Sequence, residues 1–156
     1  VRSRLIRADD LPRVLGHTDR LQQVALNLVM NAVQSVAEGG FVRVETSHSL
    51  RARPWLDHAP AQPVVRLTVA DNGEGIAENL RERIFEPFFS MRLGAGTGLG
   101  LAICQGIVKE HDGWIEVGEA PEGGAQFDVY LPAAPGGGLE LVSSADAAAD
   151  RDTTTT

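Results

Sequence analysis

Between Gly94 and His111 the chain reads G-A-G-T-G-L-G-L-A-I-C-Q-G-I-V-K-E-H. Glycines at 94, 96, 98 and 100 lead straight into an apolar pattern of helical period, Leu101, Ile103, Cys104, Ile107 and Val108. Glycine lets a backbone turn tightly and approach a ligand with no Cβ in the way. A helix N-terminus adds unpaired N–H groups and the positive end of a dipole. Together they suit a polyphosphate. The plainer alternative is a loose loop before an ordinary buried helix. A Walker loop is excluded, because Leu101 and Ala102 follow Gly100 where Lys and Ser or Thr are required. A dinucleotide fingerprint needs a strand immediately before it, and Phe85–Leu93 is loop-like and carries Pro87.

The rest of the chain supplies elements that such a loop could serve. Arg2–Arg7 and Arg13–Gly16 read as short strands. His17, Thr18 and Asp19 offer helix-start chemistry, and Arg20–Ala37 keeps a helical period through Leu21, Val24, Leu28, Ala32 and Val36. Gly39-Gly40 closes that helix. Phe41–Ser47 alternates as a strand. His48–Pro63 contains Pro54, Pro60 and Pro63 and reads as a long loop, with Trp55 either anchoring it or exposed. Val64–Ala70 is a central strand, Glu78–Ile84 a short helix, and Thr97–His111 the second long helix. Trp114–Val117 and Ala125–Leu131 are strands, and Pro132 ends the order. Residues 1–132 are expected to form one folded domain, with 133–156 a disordered acidic tail or linker. The resulting fold class is α/β (α+β), a two-layer sandwich with helices on one face of a sheet.

Charge narrows the partners. With 14 basic and 21 acidic residues the chain carries −7, which disfavours nucleic acid or an anionic membrane surface. An anionic ligand would be held by local geometry. The one cysteine, Cys104, lies on an apolar helix face and reads as a core residue. No internal disulfide is possible, no run is long enough to span a bilayer, and no signal peptide is seen, so a cytoplasmic location is expected. The start at Val1 is expected to mark a fragment of a longer protein.

Three further constellations carry chemistry. Asn27 and Asn31 lie four apart on one helix face, with Gln23 and Gln34 extending it. They could satisfy each other or the backbone, or present carbonyl oxygens to a hard cation such as Mg²⁺. Asp71-Asn72-Gly73-Glu74-Gly75-Ile76 follows the central strand. Asp71 could cap a turn, or accept a hydrogen bond from an exocyclic amine while Gly73 and Gly75 let a flat ring come close. Phe85-Glu86-Pro87-Phe88-Phe89 is either a satellite of the core or a flap over a ligand, with Arg92 solvated or reaching a phosphate.

In this order and spacing, from about Asp19 to Pro132, the four motifs resemble the ATP-binding catalytic domain of sensor histidine kinases, whose wider relatives include gyrase, MutL and a heat-shock chaperone. The resemblance implies a Bergerat fold with a mixed, mostly antiparallel sheet, and ATP and Mg²⁺ as cofactors. It implies that Asn31 reaches Mg²⁺ and that Asn27, at the catalytic position, lies near the phosphates. It implies Asp71 for the adenine amino group, with Gly73, Gly75 and Ile76 beside it. Phe85 and Phe88 match the aromatic motif. Gly96, Thr97, Gly98, Leu99, Gly100 and Leu101 match the glycine-rich segment that closes on the phosphates, and Arg92 and Leu93 would sit in a short lid of the nitrogen-regulation type.

Hydrolytic relatives carry a glutamate where this chain has Asn27, which cannot serve as a base, so phosphotransfer fits better than hydrolysis. Gln34 replaces a frequent basic residue, His17 a frequent aspartate, and Ala125 a frequent Thr or Ser. None of His17, His48, His58 and His111 sits in a phosphoacceptor motif. The acceptor histidine is therefore expected on a separate dimerisation domain, with a response regulator downstream, no direct membrane contact and a monomeric fragment. Two rivals share the fold: a non-catalytic regulatory module and a serine kinase of the anti-sigma type.

Overall fold

The longest helical period in the chain becomes α1, Thr18–Ser35. Val24, Leu28 and Ala32 recur at helical spacing and are its buried residues. The helix starts two residues before the sequence pattern indicated, with His17 as an extended N-cap. It also stops two residues earlier. Ser35 turns its hydroxyl back to the Ala32 carbonyl at 2.9 Å, Val36 is already extended, and Gly39 makes the following turn at φ +78°.

The computed structural model describes residues 1–91 and 96–136. Five strands form one sheet in the order β1-β2-β3-β5-β4: β1 is Arg2–Arg7, β2 Phe41–Arg51, β3 Gln62–Asp71, β4 Trp114–Glu119 and β5 Ala125–Pro132. Only β1 runs parallel to its neighbour; the other pairs are antiparallel. The mixed, mostly antiparallel sheet expected from the sequence is present. The second helix, α2, is Gly100–Glu110, and it packs beside α1.

Both helices lie on the same side of the sheet. Val24 and Leu28 from α1, with Cys104, Ile107 and Val108 from α2, meet Val42, Val69, Phe127 and Val129 in one core cluster. Alternation along the strands sends Val64, Trp114 and Tyr130 to the opposite face, where they form a second, smaller cluster. Polar pairs occupy the remainder of that face. Arg43 donates to Glu122 at 2.6 Å and Thr68 to Asp128 at 2.5 Å.

Five local expectations are corrected. β2 continues to Arg51, because His48–Arg51 pair with Gln62–Val65 of β3. The loop between them is thus 52–61, and Pro63 belongs to a strand. A proline is tolerated there because it stands at the start of β3, where a missing N–H costs little, and its carbonyl accepts the Ala133 N–H at 2.9 Å. Arg13–Gly16 is not a strand; only Val14 bridges, to Ala133, and the Ala134 N–H reaches the Arg13 carbonyl. Order therefore passes Pro132, while the remainder of the expected tail, from residue 137, lies outside the described residues. Residues 78–85 make two 3₁₀ turns, Glu78–Leu80 and Arg83–Phe85, instead of one helix. Finally, α2 starts at Gly100 and not Thr97, because Gly96 and Gly98 sit at φ +77° and +69°, which no right-handed helix can include.

Candidate functional site

A cleft of about 340 Å³ opens between α1, the segment after β3, the 84–91 stretch and the first turn of α2. Asp71 lies at its base, as the last residue of β3 and only 2% exposed. One carboxylate oxygen, Oδ1, accepts the Gly73 N–H at 2.8 Å and the Ala125 N–H at 3.2 Å. The Asp71 carbonyl accepts the Gly124 N–H at 3.1 Å. The second oxygen, Oδ2, has no hydrogen-bond partner among the described residues, although Asp71 lines the cleft. Asp71 therefore caps a turn with one oxygen, and its other oxygen is left without a partner among the described residues.

The glycines around it have separate jobs. A Cβ on Gly73 would come within 2.5 Å of the Ser35 carbonyl, so Gly73 is where the loop passes under the end of α1. It does not line the cleft; its contribution is the N–H that holds Asp71. Gly75, at φ +72°, and Ile76 do line it. Asn72 is structural: its side-chain oxygen accepts the Phe41 N–H at 2.7 Å, and its own N–H returns to the Phe41 carbonyl.

On α1 both asparagines face the cleft, as does Gln34, whereas Gln23 is exposed and lies outside it. Asn27 donates from Nδ2 to the Gly100 carbonyl at 3.4 Å, a long bond that ties α1 to the first residue of α2. The Asn31 amide makes no hydrogen bond to any described residue, so its carbonyl oxygen is available to a ligand or cation. Cys104 lies deep behind Asn27. Burial pushes its thiol up to about 11, and the Asn27 side chain opposes that shift. It is a core residue, as its helix position indicated.

The glycine-rich segment lines the cleft through Gly96, Thr97, Gly98, Gly100 and Leu101. Leu99 does not; it is the N-cap of α2, its carbonyl taking the Ile103 N–H at 2.9 Å. Arg92, together with Leu93, lies outside the described residues. Phe88 departs from the expectation. It sits at φ +65° with its side chain 77% exposed and away from the cleft. Its backbone is what counts here: the Phe88 N–H donates to the Gly98 carbonyl at 3.0 Å, and a Cβ on Gly98 would come within 2.7 Å of the Phe88 carbonyl carbon. From this motif it is Phe89 that lines the cleft, together with Phe127 of β5, and the Arg83 guanidinium lies 4.9 Å over the Phe89 ring.

Sequence reasoning also missed Met30, Ser35 and Glu74, which line the cleft. Met30 was accessible to helical spacing, since it shares the turn of Asn27 and Asn31 and lies three residues after the first. His111 is 8% exposed, with Nδ1 on the Ile107 carbonyl at 2.7 Å and Nε2 accepting the His17 N–H at 3.1 Å, which fixes the start of α1 against the end of α2.

Comparisons with known proteins agree with this geometry. The sequence profile described as "Histidine kinase-, DNA gyrase B-, and HSP90-like ATPase" matches residues 16–135. The sensor histidine kinase ZraS of Escherichia coli O157:H7 is 39% identical over 124 residues, covering 80% of this chain and 24% of that protein. The sensory histidine kinase/phosphatase NtrB of Rhodobacter capsulatus is 42% identical over 126 residues, covering 80% and 35%. The solved catalytic domain of histidine kinase ThkA superposes with a TM-score of 0.70 at 30% identity, covering 88% of this chain and 82% of that one. The chain spans about a quarter of the length of the first of these curated relatives and about a third of the second. With the motifs, the sheet order and these matches in agreement, the chain belongs to the histidine kinase-, DNA gyrase B- and HSP90-like ATPase family, in which it corresponds to the ATP-binding catalytic domain of sensor histidine kinases.

Proposed function

We propose that this domain binds Mg·ATP and holds its γ-phosphate for transfer to a histidine on a dimerisation domain elsewhere in the full protein, with a response regulator downstream. The observation that carries the reading is the unshared Asp71 oxygen at the base of the cleft. An acceptor there, fixed by two backbone donors on its other oxygen, suits an exocyclic amine of a base and rejects a carbonyl in the same place. Gly75 and Ile76 give a ring room and an apolar wall.

At the phosphate end the described residues offer amides and backbone N–H groups rather than positive charge. Among the described residues no cluster of three or more His, Cys, Asp or Glu could hold a metal. A cation here would take its ligands from phosphate oxygens and from Asn31, a donor set that suits Mg²⁺. When bound, Mg²⁺ supplies charge neutralisation. Asn27 orients; it has no basicity, so it cannot take a proton from water, and the domain favours a side-chain acceptor over hydrolysis.

Calorimetric titration of ATP with and without Mg²⁺, on the chain and on Asp71→Asn, tests the reading. Mg²⁺-dependent binding that the substitution abolishes supports it. No binding by the unsubstituted chain refutes it and favours a regulatory module that keeps the fold alone, a reading for which Ala125, with no hydroxyl at the cleft, is the specific observation.

A further inference from the structure

The nucleotide cleft uses the first turn of α2. The last turn of the same helix, with the 52–61 loop and the start of β4, borders a second groove of about 490 Å³. No residue lines both. The volume falls in the range of small-molecule sites, about 300–1,000 Å³.

One wall is aromatic. Trp55 is 56% exposed and stands at 88° to Trp114, ring centroids 5.7 Å apart. Trp114 is itself fixed. It stacks on Tyr130 at 5.0 Å, and its indole N–H donates to Glu116 at 3.2 Å. The loop that carries Trp55 is ordered by two turns, the Leu56 N–H on the Arg53 carbonyl and the Ala59 N–H on the Leu56 carbonyl, both 3.2 Å. An ordered loop thus keeps a large indole surface in water against a rigid backing.

The polar groups beside it are mostly donors without acceptors. Arg53 and Lys109 both line the groove, and neither forms an ion pair with any described residue. The Trp55 indole N–H and the Gln105 amide have no hydrogen-bond partner among the described residues either. Asp112 is the one carboxylate in the lining, and it pairs with neither cation. Two cations outnumber it. In a chain of net charge −7 this is a local reversal of sign.

We propose that this groove is a binding site for a planar aromatic carboxylate, its ring against Trp55 and its carboxylate between Arg53 and Lys109. Indole faces gain from stacking a flat ring, and guanidinium and ammonium donors bind a carboxylate with charge-assisted hydrogen bonds. The two sites share no lining residue, so the failure of this proposal and the failure of the ATP reading are separable.

The test is a ¹⁵N NMR titration of the full chain with 2-naphthoate, and in parallel with the uncharged 2-naphthamide. The expected result is a saturable shift of the Trp55 indole N–H and of the Val108 and Lys109 amides. The amide should bind on the order of tenfold more weakly, about 1.4 kcal/mol. Arg53→Gln/Lys109→Gln should weaken naphthoate by a similar factor, and Trp55→Ala should abolish the shift at Val108; all three side chains lie at the surface or partly exposed, so these variants are expected to fold. No saturable shift, equal binding of acid and amide, or an unchanged affinity in the double variant would overturn the proposal. So would shifts confined to Ile76 and Leu101 in the nucleotide cleft.

Discussion

Gly124 sits so close to Asp71 that a Cβ on it would lie 2.2 Å from the carboxylate oxygen Oδ1 and 2.4 Å from the Asp71 carbonyl. The β4–β5 turn and the end of β3 are therefore fitted to each other without room for a methyl group. Gly124→Ala must displace either the turn or the carboxylate. The expected cost is about 1–3 kcal/mol of stability, with a loss of ATP affinity beyond what unfolding explains. Chemical denaturation and calorimetry on the same sample separate the two effects. Unchanged affinity would mean that the turn gives way and leaves the Asp71 carboxylate in place.

Asn31 gives the opposite combination. Its amide bonds to no described residue, so Asn31→Ala should change stability by no more than about 0.5 kcal/mol. Nucleotide affinity measured with Mg²⁺ should fall, while affinity measured in EDTA should not. An equal fall in both conditions would remove the metal assignment.

The neighbouring phenylalanines should behave differently. Phe88→Ala removes a side chain that is 77% exposed and is expected to leave stability within about 0.5 kcal/mol of the parent. Phe89→Ala removes a ring that lines the cleft and packs against the core cluster. It should cost about 2 kcal/mol or more and weaken nucleotide binding. Thermal melts with and without ATP would show the contrast, and equal effects at the two positions would contradict it.

Cys104 predicts a pH dependence. Burial raises its thiol from the ordinary value of 9.0 to about 11. Below pH 9 the thiol is neutral in both folded and unfolded chains, and its contribution to stability is fully present. Above pH 9 the unfolded chain loses the proton first, so this contribution declines as pH rises and levels off above about 11. Urea titrations at pH 8 and pH 10 on the parent and on Cys104→Ala would isolate it, as the smaller pH effect in the variant. In the native state a thiol reagent at pH 8 should react far more slowly than with the unfolded chain.

Much of this was legible before the structure. α1 could be read because Val24, Leu28 and Ala32 carry an unbroken helical period, and Asp71 because an aspartate after a β-branched strand and before two glycines has few roles. What could not be read depended on partners distant in the chain. β2 extends beyond Ser47 only because β3 supplies a partner for each residue to Arg51. Pro63 is strand because it pairs with Leu50 of β2, and its carbonyl also accepts the N–H of Ala133, 70 positions away. The exchange of Phe88 for Phe89 follows from one backbone bond to Gly98 and a positive φ, neither of which a single sequence displays. The His17–His111 contact likewise joins positions 94 residues apart.

The strand order has a consequence for how the site is assembled. β5 is the last strand in sequence, yet it inserts between β3 and β4, and its first residue supplies one of the two N–H groups on the Asp71 carboxylate. A chain emerging from synthesis can pair β2 with β3, which are separated by one loop, but Asp71 then ends in open water with half of its clasp missing. The base of the cleft is complete only with β5 in place, so the segment furthest along the described chain finishes a site whose key side chain comes from its middle.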